Sequence, residues 1–351
     1  MAYEVDYIPV GDGEKSGDAI AIRFGNLLGT RQEQTIIVID GGFRESGELL
    51  VQHINQYYKT NDIDLVISTH PDADHASGLL IVLEKCKVST LLMHKPWDHA
   101  EDIKNLFKDG RITASGLEER LEKSLQHASD LEALATKKGV TIVEPFQGVT
   151  GYNNALHILG PSEEYYKTLL SLFRPMTEQN KLLEILMPIK KAAEEVARWI
   201  EDRLDIDLLN DDEDKTSPEN NSSVIALFNF EGHKLLFTGD TGKTGLLFAI
   251  DYADNKGITL TDLNFFDVPH HGSKRNLSSK VLSKIKATTA FVSAPKNSPK
   301  HPAKKISNAL KKHGMKVFVN RNNTLRHSHE APDRINWGPA KEEEFYKLVE
   351  E

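Results

Sequence analysis

The chain is poor in several features that would have narrowed its class at once. It carries a single cysteine, Cys86, in 351 residues. An internal disulfide framework is therefore excluded, and a reducing, cytoplasmic setting is expected. The surrounding LEKCKV reads as the buried end of a helix. No apolar run approaches the ~20 residues needed to cross a bilayer, so no membrane contact is expected. The opening residues, MAYEVDYIPVG, lack a basic segment followed by an apolar one, which predicts no secretory leader. There is no G-x-S-x-G element, so a serine nucleophile is not expected either. Aromatic residues make up only 7% and form no RNA-binding signature, which argues against base-specific recognition.

One further absence is local. From Val268 to His329 there is no Asp or Glu, while the same stretch holds 14 Lys and Arg. The net charge of −9 therefore misleads as an average, because the remaining chain is strongly acidic. Charge segregated in this way builds a local positive field that can steer an anionic ligand. A solvated lysine-rich helix face is the plainer alternative.

What is present reads as strands alternating with helices. EVDYIPV, DAIAIRF and TIIVID are short runs rich in Val and Ile, separated by glycine and polar breaks. SGELLVQHINQYYKT has helical spacing with a serine start, DLVIST is a strand, and ASGLLIVLEKC is a helix. Residues 100–137 are polar and helical. SSVIALFNF, HKLLFTGD, NFFDVPHHGS, TTAFVSA and KVFVN are later strands, with helices LSSKVLSKI and AKKISNALKKHG between them. This alternation predicts an α/β (α+β) chain, with helices packed outside sheets, as a single domain over 1–351. Residues 163–215 read as a helical insertion ending in a flexible acidic loop, NDDEDKTSPENN, and offer a surface on which a protein partner could dock.

The densest polar stretch is STHPDADHASG at 68–78. Alternate residues of an extended chain face one side, so His70, Asp72 and Asp74 can project together, with His75 following at the turn into the helix. Four such donors held this close are costly without a cation. Imidazole with carboxylate suits zinc, iron or manganese. The alternative is a helix-capping surface loop. Two later segments weigh against it. LLFTGD places Asp240 at a strand end beside a glycine that lets the backbone come close, and FFDVPHHGS places His270 and His271 in the same way. Asp40, in IVIDGG, is a fourth strand end with a metal-type donor. His94 and His157 lie in strand-like runs and read as packing histidines. His327 and His329, in RHSHE, read as a solvated loop.

HxDxDH, a distant GD and a later HHGS together resemble the metallo-β-lactamase superfamily, and more narrowly the ComEC-type hydrolase domain. VGDGEKSGDAIAIRF with IIVIDGG, and NNSSVIALFNFEGHKLLFTGD, resemble that subgroup's opening strands and central strand pair. The likeness covers most of the chain outside 163–215. It implies a four-layer αββα sandwich with a helical insertion and a site for two divalent ions, zinc or manganese, on one edge. The commonest form of that superfamily has His where this chain has Asp72, and a GH motif that is missing here. On the HxDxDH pattern, His70, Asp72 and His270 hold one ion, Asp74, His75 and His271 the other, and Asp240 bridges them. Adjacent side chains on a strand diverge, so the HH loop must bend. Asp40 is expected to orient a ligand histidine.

A two-metal site activates water and clamps an anionic oxygen, and the resemblance implies Asp74 and Asp240 as its catalytic carboxylates. His301, in the HP loop, is expected to contact a phosphate or protonate a leaving group. Ser273, Lys274, Arg275 and Lys300 are expected to bind substrate, and Asn276 and Ser278 precede a helix start that suits an anion. The acid-free half favours a phosphodiester, and a nucleic-acid backbone would use many lysines at once. The expectation is a metal-dependent nuclease. Rivals are a small-molecule phosphodiesterase or esterase, and a partner-regulated subunit. A homo-oligomer is compatible with this reading.

Overall fold

The computed structural model describes residues 1–107, 112–177, 199–205, 207–209 and 211–350. Period-two patterning decides its layers. In Ala2–Tyr7 the side chains of Tyr3, Val5 and Tyr7 enter one core, joined by Ile37 and Ile39 of Gln34–Gly41. The alternate residues Ile36 and Val38 enter a different core, with Leu79 and Leu83 of the helix Ala73–Lys85. The second half repeats the device: Ala226, Phe228 and Phe230 face the first core, while Ile225 and Leu227 face a third. Three cores mean three interfaces, helix–sheet, sheet–sheet and sheet–helix, which is the expected αββα order.

Among the described residues, each large sheet has seven strands. The first runs Leu325–His329, Ala2–Tyr7, Ala19–Gly25, Gln34–Gly41, Asp62–Ile67, Lys87–Leu92, Thr141–Val143 in space. The second runs Lys316–Val319, Ala287–Val292, Leu263–Asp267, His233–Phe237, Ile225–Phe230, Leu156–Gly160, Thr150–Gly151. Gln34–Gly41 and Asp62–Ile67 are parallel, so Asp40 and the loop carrying His70 leave the sheet on the same edge. His233–Phe237 and Leu263–Asp267 are also parallel, which carries Asp240 and His270 to one edge of the second sheet. The two edges meet: Val224 N–H donates to Thr69 O at 3.0 Å. The helix Ala73–Lys85 lies flush on the first sheet's edge because of glycine. A Cβ on Gly78 would stand 1.9 Å from Gly41 O, so the SG of the motif and the GG of IVIDGG form one contact.

Several segments depart from the expectations. The helix after IDGG begins at Arg44, ahead of the serine start, and Ser46 is buried within it. RHSH is no solvated loop. Leu325–His329 adds an antiparallel edge strand to Ala2–Tyr7, and the His327 ring packs 5.1 Å from Phe265. In the insertion, Glu163–Leu170 is a helix capped by Ser162, and Arg174–Thr177 is a further helical turn. The helical reading of 178–198 falls outside the described residues. Trp199–Glu201 is a strand rather than helix, paired antiparallel with Leu348–Glu350. Buried Asp202 fixes that pairing by accepting from Asn308 Nδ2 at 2.7 Å and Lys312 Nζ at 2.5 Å. The acidic loop is tied down where free movement was expected. Asp211 accepts from Lys280 N–H at 3.0 Å and Asp214 from Thr244 N–H at 2.9 Å, so the loop's carboxylates cap two helix N-termini. Among the described residues no helix is long and apolar enough to cross a membrane.

Candidate metal centre

Asp240 is the middle of the site. It follows Gly239, whose positive φ of 50° and close approach to Thr69 (3.0 Å from an added Cβ) allow the GD turn to touch the HxDxDH loop. One oxygen, Oδ1, faces His75 Nε2 at 3.5 Å and His271 Nε2 at 3.6 Å. The other, Oδ2, faces His70 Nε2 at 4.0 Å and His270 Nε2 at 3.7 Å, and accepts from Asn220 Nδ2 at 3.2 Å. Two histidine pairs thus flank one buried carboxylate. The HH loop bends as required: His270, His271 and Gly272 all take positive φ, at 50°, 55° and 73°. Non-glycine residues reach that region at a cost, and two in succession mark a backbone held in place by its surroundings. The bend turns the two imidazoles nearly perpendicular, at 85°.

Asp40 also has positive φ and is wholly buried. It accepts Thr69 N–H at 2.8 Å, Thr69 Oγ1–H at 2.6 Å and His75 Nδ1–H at 2.7 Å. Its hold on Nδ1 leaves His75 Nε2 aimed at Asp240. Asp74 lies with His75 and His271 in one group of donor atoms, all within 4.8 Å of one another. Asp18, Asp240 and His75 form a second such group, and Asp40, His70 and His75 a third.

These residues fit a cation. His70 Nε2, His75 Nε2, both ring nitrogens of His271, Asp240 Oδ1 and Asp18 Oδ1 are buried without a hydrogen-bond partner. Buried polar atoms are rarely left so. A cation ~2 Å from each donor sets neighbouring donors roughly 3–4 Å apart, as found here. The charges agree. Burial pushes Asp18 well above the usual carboxylate range, Asp267 up to about 7, and Asp74 upward. Burial also lowers His70, and lowers His271 strongly, keeping both imidazoles neutral and their lone pairs available. For Asp240, burial is outweighed by His270, His271 and His75, which together hold it well below its ordinary value. Burial likewise lowers His75, but Asp240 and Asp40 raise it well above the imidazole range.

The structure brings His70, Asp74, His75, Asp240, His270 and His271 together. Asp72 is engaged elsewhere. It opens the helix Ala73–Lys85 and accepts from Arg174 Nη2 at 2.7 Å, and it joins none of the donor groups among the described residues. The His301 ring stands 6.1 Å from those of His270 and His271, on the rim, where burial and then His270 lower it to about 4. Ser273 is buried and its N–H donates to His270 O, Lys274 is half-buried, and Arg275 is exposed. Lys300 is exposed and pairs with Glu14 at 3.4 Å. Asn276 and Ser278 serve their own chain instead of an anion. Asn276 Nδ2 donates to Asp240 O and Thr241 O at 3.0 Å, and Ser278 Oγ caps Ser279–Lys284. Cys86 is buried at the end of its helix, and burial pushes its thiol up to about 11. His94 stacks on Tyr166 and stays outside the donor groups.

Sequence reasoning missed Asp18, Asp267, Asn220 and Arg174. Asp18 Oδ1 is 3.7 Å from His271 Nδ1, and its signal was the GD directly before AIAIRF. Asp267 accepts from Tyr7 Oη–H at 2.6 Å and sits one strand end ahead of the HH pair. Asn220 and Arg174 come from the insertion and its exit, where no motif marks them.

Residues 27–295 match the model of the metallo-beta-lactamase superfamily, and the chain belongs to that superfamily as one of its hydrolases. Among particular proteins, it is 27% identical over 156 residues to ComE operon protein 3 of Bacillus subtilis (strain 168), 43% of this chain and 19% of that protein. The chain thus matches only about a fifth of that relative's length. It is similar to a CmlA beta-hydroxylase E377D mutant, at 11% identity and TM-score 0.44, covering 93% of this chain and 53% of the other. It is also similar to a diphosphatase from the PhnP family, at 10% identity and TM-score 0.37, covering 93% and 99%.

Proposed function

We propose that this chain is a metal-dependent phosphodiesterase whose substrate is a nucleic-acid backbone. The observation that carries the reading is the division of Asp240: Oδ1 faces His75 and His271, while Oδ2 faces His70 and His270. One carboxylate between two histidine pairs suits two cations, with Asp74 on the His75–His271 side. Bound there, zinc or manganese supplies Lewis acidity toward a phosphoryl oxygen and lowers the pKa of a water.

The chain's own residues do the rest. Asp40 orients His75 by accepting from Nδ1–H, which leaves Nε2 as the nitrogen that faces Asp240 and a cation. Asn220 and Asn276 hold Asp240 by side chain and by backbone, so the central carboxylate keeps its orientation. Two sheets and their loops close around the donors, and His70, His75, Asp240 and His271 are all buried from solvent. His301 sits at the rim, where an ester oxygen would be met. Lys274 and Arg275 directly follow the HHGS turn, in a stretch, 268–329, whose own sequence supplies positive charge and no acid. An anionic polymer is the ligand that makes use of such a field.

The test is incubation with plasmid, single-stranded DNA, RNA and a small diester, each with manganese, zinc or chelator. Metal-dependent cleavage of a polymer is expected, with loss of activity and of metal in Asp240→Ala. Turnover of the small diester alone would replace the nuclease reading by a small-molecule phosphodiesterase. Full activity in Asp240→Ala would remove the bridging role.

A further inference from the structure

Asp18 is a buried carboxylate with no task in the proposed reaction. It closes the GD pair directly ahead of the strand Ala19–Gly25, and that pair is wedged between the two halves of the sandwich. A Cβ on Gly17 would stand 2.1 Å from Asp74 O, so the pair presses on the HxDxDH loop. From the other half, Ser293 Oγ–H donates to Gly17 O at 2.7 Å. Ala19 pairs with Gly41, the residue after Asp40. Asp18 is held there only 3% exposed, and its Oδ1 is buried without a hydrogen-bond partner. It faces two imidazoles. Oδ2 stands 3.9 Å from His75 Nδ1, and Oδ1 stands 3.7 Å from His271 Nδ1. The two nitrogens are not equivalent. His75 Nδ1 already donates to Asp40 at 2.7 Å, whereas His271 Nδ1 is buried with no partner.

We infer that Asp18 is the positioning residue of His271: its carboxylate accepts His271 Nδ1–H and so presents Nε2 to a cation, a role that rests on the metal-dependent reading above. A neutral imidazole carries one proton, so a ring that offers Nε2 to a cation must carry it on Nδ1. His271 Nε2 faces Asp240 Oδ1 at 3.6 Å. Its Nδ1–H then needs an acceptor from the protein itself, because the residue is 1% exposed and an unmet buried donor is costly. Asp18 Oδ1 is the carboxylate oxygen that stands there. At 3.7 Å the two atoms are about 0.7 Å too far apart for a hydrogen bond, a gap that side-chain rotation closes once a cation holds the ring. Burial, then Asp267, raises Asp18, and a divalent charge beside His271 works against that rise and favours the accepting carboxylate. Asp40 does the same for His75, so both histidines that face Asp240 Oδ1 have an acid behind them. On the Oδ2 side the partners are neutral: His70 Nδ1 meets Thr69 Oγ1 at 3.0 Å, and His270 Nδ1 meets Asn220 Nδ2 at 3.4 Å. The ion on the Oδ1 side is therefore the one that Asp18 tightens.

The experiment compares wild type, Asp18→Asn and Asp18→Ala as the full chain, with zinc as the probe. Titration against a chromophoric chelator should show one ion bound about tenfold to a hundredfold more weakly in D18A. D18N keeps an amide oxygen that can still accept Nδ1–H, so its loss should be smaller, about fivefold, the difference between a charged and a neutral acceptor. Being close to Asp in volume, it carries the comparison if D18A does not fold. At saturating zinc every variant should hold as many ions as wild type. Proton–nitrogen spectra of the zinc-loaded chain should show one protected histidine Nδ1 proton fewer in D18A. Equal zinc affinity in wild type and variants overturns the inference. So does the loss of an ion at saturating zinc, which would make Asp18 a ligand. A lower melting temperature with zinc affinity kept also overturns it, making Asp18 a support for the fold. Wild type that binds zinc but cleaves no diester leaves the inference standing and removes the phosphodiester reading. Wild type that binds no zinc removes the metal-dependent reading and this role together.

Discussion

Replacing Asp40 by asparagine changes almost no volume and should nevertheless disarm the centre. The carboxylate is fully buried and accepts three bonds, two from Thr69 and one from His75 Nδ1 at 2.7 Å. An amide can still accept Thr69 N–H through Oδ1. Its NH2 would then stand where Oδ2 was, facing His75 Nδ1. The imidazole answers by moving its proton to Nε2, the nitrogen now aimed at Asp240 Oδ1 from 3.5 Å. To coordinate, His75 must take the other tautomer and set Nδ1–H against the amide N–H. The loss is that of a charge-assisted hydrogen bond, about 1.5–3 kcal/mol. That corresponds to metal binding weaker by about tenfold to a hundredfold, in the range known for outer partners of ligand histidines. The assay is competition with a chromophoric chelator, read beside hydrolysis at limiting and at excess metal. Excess metal should restore part of the rate in D40N. Wild-type metal affinity together with a wild-type rate at limiting metal would refute the orienting role.

Three further outcomes follow from the same structure. Lys274→Ala should weaken polyanion binding and lower the slope of log affinity against log salt by about one, with metal content unchanged; an unchanged slope would turn the basic stretch away from the substrate. Arg334 makes a two-point contact with Asp6 at 2.8 and 2.7 Å and meets Glu4 at 2.9 Å, both acids being fully buried. Arg334→Ala should therefore cost about 3–5 kcal/mol in urea unfolding, and a loss under about 1 kcal/mol would contradict the pairing. His327 is lowered to about 4 by burial and by His233 and His329, with its Nε2 3.1 Å from Tyr3 Oη. The unfolded imidazole protonates first as pH falls, so stability is lost from about pH 6.5 down to about 4, by up to about 3 kcal/mol. His327→Phe should flatten that part of the curve, and an unaltered curve would exclude His327 as its source.

The layers were legible because they depend on local pattern. Alternation in EVDYIPV and TIIVID says which side chains share a face, and two parallel pairs are enough to bring Asp40, His70, Asp240 and His270 to one edge. A donor motif at a strand end is local information too: it says which residues leave the sheet, and where. It does not say what each of them meets. His70, Asp72 and Asp74 share one spacing, and spacing alone assigned them alike. The structure separates them by a contact 102 positions away, since Arg174 takes Asp72 while the histidines turn inward. Asp18 was hidden for the same reason, because the approach of His75, and of His271 across the two sheets, gives its carboxylate a role. The misread secondary structure has the same origin. WIE has helical neighbours in sequence but finds a strand partner at 348–350, and RHSH looks polar but finds a vacant sheet edge at Ala2–Tyr7. Pairing with a distant segment outweighs propensity wherever a free edge is available. It follows that residues assigned by motif and residues assigned by tertiary contact should respond differently to substitution. The first kind, Asp240 among them, should lose metal. Asp72, which the contact with Arg174 takes from the motif's set, should keep it.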